Sequence, residues 1–267
     1  APSIILAMKT GMNFNDFFWM NSKPGLFFAI QFATIGAFFV LYLFFKKYNQ
    51  PCEYSHTPTK VKTWVPTILF CLMTIHLAIE PFLPFHSSLA MICIFWALIA
   101  MIWYVFEKSE KIAIAKDLDW FTLFFLTGIF ILVNSLIISG VVDILADFIY
   151  NLSNGSILKS YIIIIIFSVI ISAFVDNIPY TIAMLPVAQE IATKTNTDPF
   201  LLIYGLMIGT CLGGNITPIG SASNVVTMGI LRKNNIDFKT SDFIKLGLPF
   251  TLVAVLMGAF FIWWFYK

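Results

Sequence analysis

Ser172-Ala173-Phe174-Val175-Asp176-Asn177-Ile178-Pro179-Tyr180-Thr181 interrupts an otherwise apolar run over residues 161–188. In a bilayer, backbone that leaves the helix persists only against protein or a watery cavity, because nothing else satisfies its hydrogen bonds. Pro179 lacks an amide donor and is expected to stop the incoming helix. Asp176 is the one acid of the run, and intramembrane acids mark function by default. Free carbonyls and the Asn177 amide suit a small cation there, with sodium the candidate beside Asp176. The N–H groups that open the next half-helix suit an anion instead. The bland alternative is a hydrogen-bonded loop acid without a ligand.

A second apolar region, residues 200–230, breaks at Gly213-Gly214-Asn215-Ile216-Thr217-Pro218-Ile219-Gly220-Ser221 and continues through Ser223 and Asn224. Glycines permit close backbone approach, while hydroxyls and amides replace an ion's hydration shell. No GK[ST] follows, so this is not a nucleotide loop. A glycine-assisted helix kink is the alternative. The candidate ion-binding residues are therefore Asp176, Asn177, Thr181, Asn215, Thr217, Ser221, Ser223 and Asn224. Pro179, Gly213, Gly214, Pro218 and Gly220 shape the backbone around them.

Outward from the breaks, residues 26–45, 64–79, 89–106, 120–138 and 246–266 read as membrane spans. The last ends on Trp263-Trp264-Phe265-Tyr266, suited to a membrane–water boundary. Residues 141–152 and 238–246 are amphipathic and are expected along the interface. The 267 residues are 59% hydrophobic and only 11% charged, with a mean hydropathy of +0.88. That excludes a soluble domain, a disordered chain and a secreted disulfide scaffold. A net charge of +2 is too small for a nucleic-acid partner. Cys52, Cys71, Cys93 and Cys211 lack metal-site spacing, and no cofactor is indicated. Ala1-Pro2-Ser3-Ile4-Ile5 reads as the middle of a segment, so the chain is expected to be a piece of a longer protein.

Lys and Arg gather in cytoplasmic loops. With Lys46, Lys47, Lys60 and Lys62 inside, a chain in which both interrupted regions cross puts nine basic residues in and seven out. A hairpin at 161–188 gives eleven against five, and a hairpin at 200–230 gives twelve against four. One re-entrant segment is favoured, without a choice between the two. Ala1-Pro2-Ser3-Ile4-Ile5 echoes Ala222-Ser223-Asn224-Val225-Val226. Asn13-Phe14-Asn15-Asp16-Phe17-Phe18 likewise echoes Lys239-Thr240-Ser241-Asp242-Phe243-Ile244. Repeated broken helices of this kind point to inverted-repeat transporters. Lesser candidates are His76 and Glu80, one helical turn apart, as a proton relay or half a metal site. A solvated interfacial pair is the expectation for them. Asp143 and Asp147 are expected to face water.

The two breaks resemble motifs of the ion-transporter superfamily: arsenite permeases, NhaD-type sodium/proton antiporters and citrate transporter-like permeases. Residues 172–187 are similar to its hairpin motif, and residues 209–226 to its broken helix. The resemblance implies that 161–188 is a hairpin opening from outside, which places the C-terminus outside. It also implies that substrate and coupling ion bind between hairpin tips and broken helices, one hairpin being absent here. It further implies elevator-like movement against a scaffold, and a homodimer fits it. The expected fold is an all-α polytopic inverted-repeat transporter in a cell (inner or plasma) membrane. It comprises the end of a first repeat (1–45), a cytoplasmic linker (46–63), scaffold helices (64–138) and a transport unit (139–267). The expected function is secondary active transport of a small ion, an anion such as arsenite or a carboxylate, coupled to sodium or protons. Sodium/proton antiport is the runner-up. An intramembrane enzyme would need a nucleophile–base pair or metal set that the sequence lacks, and a passive channel ranks with it.

Overall fold

The computed structural model describes residues 2–47, 63–83, 88–107, 120–233 and 239–267. Lys60, Lys62, Lys108, Lys111 and Lys116, which weigh in the sidedness count, lie outside the described residues, as does Cys52. The apolar runs become helices, which satisfy the backbone within one segment. Helix α1 is Pro2–Thr10, α2 Leu26–Phe45, α3 Val65–Ile79, α4 Leu89–Glu107 and α5 Trp120–Ile138. Then come α6 Val141–Leu152, α7 Ile157–Ser172, α8 Asn177–Lys194, α9 Pro199–Gly213, α10 Ala222–Lys233 and α11 Thr240–Tyr266. Among the described residues, α2, α3 with its 3-10 extension Glu80–Phe82, α4 and α11 are long and apolar enough to cross a bilayer. The chain is an integral membrane protein built on helices.

The bounds of α2, α5 and α6 coincide with the sequence expectation. The end of α5 meets α6 at an angle of 72°, across Gly140 in a left-handed conformation that glycine adopts without strain. Helix α6 is amphipathic as expected, burying Val142, Ala146 and Ile149 and exposing Ile144 and Phe148.

Two local features differ from expectation. The amphipathic piece at 238–246 is not separate: Thr240 to Leu246 form the first turns of a continuous 27-residue α11. Asp242 favours that helix start through the dipole, and Lys245 pairs with it at 3.1 Å. The polar turns therefore prolong the span instead of leaving it. Between α1 and α2, a 3-10 turn at Phe14–Phe17 is followed by a small hairpin, β1 (Trp19–Met20) against β2 (Lys23–Pro24).

Helix α9 is the centre of the protein, with eleven of its fifteen residues buried. Helices α7, α8 and α11 pack around it. Gly205, Gly209 and Gly213, four apart, form a stripe that lets α7 approach closely. A Cβ on Gly209 would stand 2.6 Å from Ser168 Cβ, and one on Gly213 would stand 2.8 Å from Val169 Cα. The stripe also aligns the two helices, so the end of α7 lies level with the end of α9. Helix α8 then returns antiparallel, with Tyr180 Oη 3.3 Å from Ser168 Oγ.

Helices α2 and α11 run antiparallel along a seam of Ala33, Ala37 and Ala254. Lys23, in β2 just before α2, sits over the ring of Tyr266 at the end of α11. By contrast, only 11% of the α3 span and 6% of the α4 span are buried within the protein. Their apolar side chains, such as Phe70 and Ile94, lie exposed.

Candidate functional site

The hairpin tip is built from local hydrogen bonds. Beyond Ser172, the N–H groups of Ala173, Phe174 and Val175 still donate back to α7 carbonyls at 2.9–3.1 Å. The chain then turns, and Asp176 caps α8 by accepting the Asn177 N–H at 2.9 Å. The expectation that Pro179 stops the incoming helix is therefore corrected. Helix α7 ends at Ser172, and Pro179 stands third in α8. There its missing N–H would have had no intrahelical partner in any case. Phe174 is left 64% exposed at the tip.

The second break is held open by Asn224. After Gly213, the N–H groups of Asn215 and Ile216 donate to the Leu212 and Gly213 carbonyls, both at 3.1 Å. Asn224 Nδ2 then donates to the carbonyls of Gly214 (2.9 Å) and Thr217 (3.0 Å), two groups that lost their helical partners. Ser221 Oγ accepts the Asn224 N–H at 3.4 Å and starts α10 as its cap.

These two structures meet. Thr217 Oγ1 donates to the Ala173 carbonyl oxygen. Ser172 Oγ lies 2.6 Å from Asn177 Oδ1 and 2.7 Å from the Thr210 carbonyl oxygen, and its single proton serves one of them at a time. Neither Gly214 nor Gly220 has room for a side chain. A Cβ on Gly214 would stand 2.9 Å from Asn177 Oδ1, and one on Gly220 would stand 2.9 Å from the Ala173 oxygen. The cluster is thus a set of mostly buried oxygens from both segments. Carbonyl and hydroxyl oxygens are the ligands that suit hard cations. The N-termini of α8 and α10 open onto the same region and suit negative charge.

Among the expected residues, Asn177, Thr217, Asn224, Gly213, Gly214 and Gly220 come together here. Thr181 is buried, but its hydroxyl bonds back to the Asn177 carbonyl at 2.7 Å. Ser221 and Ser223 pair with each other at 3.0 Å. Asn215 lines a separate cavity of about 320 Å³ with Leu41, Met228 and Phe250. Pro218 and Thr217 line another of about 520 Å³ beside Phe174 and Ile219. Asp176 is half-buried, with the Asn177 N–H as its hydrogen-bond donor.

Sequence reasoning passed over Ser172 as a site residue, together with the Ala173 and Thr210 carbonyls. It also passed over Thr210 Oγ1, a fully buried hydroxyl without a hydrogen-bond partner. The available signal was a serine pair, Ser168 and Ser172, one turn apart in an apolar helix.

The remaining candidates lie elsewhere. His76 Nδ1 accepts the Trp96 indole N–H at 3.1 Å. Glu80 is only 6% exposed, so the expected solvated pair is corrected. The segment at Phe14–Phe17 packs over this end of α3, and Asn15 Nδ2 donates to the Ala78 carbonyl at 3.0 Å. No cluster of three metal-ligating side chains occurs among the described residues. Asp147 is exposed and binds Lys194 at 2.5 Å, tying α6 to the foot of the hairpin. That hydrogen bond raises the Lys194 pKa above the ordinary lysine value.

The chain is similar to known transporters. The citrate transporter family CitMHS matches residues 1–209 and 137–267, two overlapping stretches. An uncharacterized transporter of Mycobacterium tuberculosis is 25% identical over 271 residues, covering 98% of this chain and 62% of the relative. A second one from the same organism is 33% identical over 158 residues, or 58% of this chain and 36% of the relative. The P protein of Sus scrofa is 33% identical over 184 residues, covering 65% of this chain and 21% of that protein. The chain thus spans about three-fifths of the first of these relatives, and less of the others.

Proposed function

The chain belongs to the citrate transporter family CitMHS, and from that premise we propose that it carries a small anion across the membrane by alternating access. The substrate class is a carboxylate or arsenite, coupled to sodium or protons. The observation that carries this reading is the meeting of the α7–α8 tip with the broken α9–α10 helix. Buried oxygens there serve a coupling cation, and two half-helix N-termini serve the anion. Asn177, Thr217 and Asn224 form the centre of the site with Ser172 and Thr210. Asp176, Thr181, Asn215, Ser221 and Ser223 flank it, and sodium is the candidate ion beside Asp176.

The reading includes an inverted repeat, which the antiparallel packing of α2 against α11 supports. Helices α2 and α11 touch where a Cβ on Gly258 would stand 3.5 Å from Ala33 Cβ. Ala33 is seventeen residues beyond Asp16, and Gly258 is sixteen beyond Asp242. Helices related by a two-fold axis in the membrane plane pack antiparallel, and α2 and α11 meet within one residue of the same offset from Asp16 and Asp242. Residues 1–45 then close the first repeat, residues 64–138 form the scaffold and residues 139–267 the transport unit.

The same pair supports a sidedness. Leu41, near the end of α2, shares a cavity with Phe243 and Gly247 at the start of α11. Lys46 and Lys47 therefore lie on one side with Lys239 and Lys245, the cytoplasmic side by the charge rule. The hairpin then opens from outside, and Lys267 lies outside.

The test is uptake and efflux by the full-length protein in vesicles, wild type against Asp176→Asn. Loss of gradient-coupled transport is expected, and undiminished coupled transport removes Asp176 from the mechanism. A cation-dependent pH jump without any anion requirement would establish sodium/proton antiport instead.

A further inference from the structure

A cleft away from the site opens between the β1–β2 hairpin and the last turns of α11. Trp19, Ser22, Lys23, Phe28, Phe261 and Phe265 line it. Its volume, about 450 Å³, falls in the range of small-ligand sites, about 300–1,000 Å³. It lies where α2 begins and α11 ends, at a membrane–water boundary marked by Trp263, Trp264 and Tyr266.

The walls are mostly aromatic, and Lys23 is their one charged residue. Asn21 and Ser22, at φ of 50° and 63°, make the tight left-handed turn that sets Lys23 opposite Met20 and Trp19 opposite Pro24. The Lys23 ammonium lies 5.2 Å from the Tyr266 ring centroid, and that of Lys267 lies 5.5 Å from Trp263, one turn earlier on α11. Neither ammonium has a carboxylate partner among the described residues. Asp16 and Asp198, the acids that face the Tyr204–Tyr266 ring pair, are each engaged with backbone. Asp16 accepts the Asn13 N–H at 2.7 Å, and Asp198 accepts the Phe200 N–H at 2.9 Å.

An unneutralised lysine in the wall of an aromatic cleft at a bilayer surface matches an amphiphile with an anionic head and a hydrocarbon tail. We propose that this cleft binds an anionic phospholipid. Its phosphate rests on Lys23, and one acyl chain lies between Phe28, Phe261 and Phe265.

The full-length protein is reconstituted in equal phosphatidylglycerol and phosphatidylcholine of the same acyl composition. Lipids retained after detergent extraction are counted by native mass spectrometry. The expected result is about fivefold enrichment of phosphatidylglycerol over phosphatidylcholine. Lys23→Ala abolishes the enrichment, and so does Lys23→Gln, which keeps the stem over Tyr266. Lys245→Ala, at the far end of α11, leaves it intact. Equal retention of the two lipids overturns the proposal, as does enrichment that survives both Lys23 variants. Displacement of the lipid by millimolar inorganic phosphate also overturns it, because the site would then be one for free anions.

Discussion

Thr217, in the break of the discontinuous helix, donates its hydroxyl hydrogen to the carbonyl oxygen of Ala173 at the tip of the α7–α8 hairpin. Both residues are buried. Thr217→Val leaves that carbonyl without a donor, at a cost of about 1–3 kcal/mol. A lower thermal unfolding midpoint is expected for Thr217→Val, with Thr217→Ser close to wild type. Identical melting of all three would show that the bond does not hold tip to break.

The glycine stripe on α9 makes a steric prediction. At Gly209 any side chain meets Ser168 Cβ at 2.6 Å and the Ile165 carbonyl at 2.9 Å. Gly209→Val is expected to cost at least about 1–3 kcal/mol by overpacking. Gly229→Ala, where a Cβ meets nothing within 4 Å, is the control and should melt normally.

His76 and Trp96 join α3 to α4. An indole N–H only donates, so His76 supplies the acceptor through Nδ1. His76→Leu removes that acceptor and should lower the unfolding midpoint by the equivalent of about 1 kcal/mol. His76→Gln, which offers an amide oxygen, should recover part of the loss. A matching loss in both variants would assign the effect to packing against Phe95 instead.

The spans and both breaks were legible because hydropathy and helix-breaking residues are local properties. Bounds such as Val141–Leu152 followed directly from them. Where the two breaks meet was not legible. Ser172 reaches Thr210 across 38 residues and Thr217 reaches Ala173 across 44, and no local pattern records such pairings. The burial of Glu80 was likewise not legible from its place beside Pro81 at a helix end. At the start of α11, polarity alone suggested a separate helix along the interface. The ladder of backbone bonds simply continued through it.

Asn177 supplies the side-chain oxygen that Ser172 and Gly214 enclose, so it carries the central claim most directly. The decisive measurement is substrate uptake driven by an imposed sodium or proton gradient in vesicles holding the full-length protein. Wild type is compared with Asn177→Ala, with the exposed Asp147→Asn as control. Asn177→Ala, folded and inserted, should lose gradient-driven uptake while Asp147→Asn retains it. Wild-type uptake by Asn177→Ala would contradict an ion site at the junction of hairpin and broken helix.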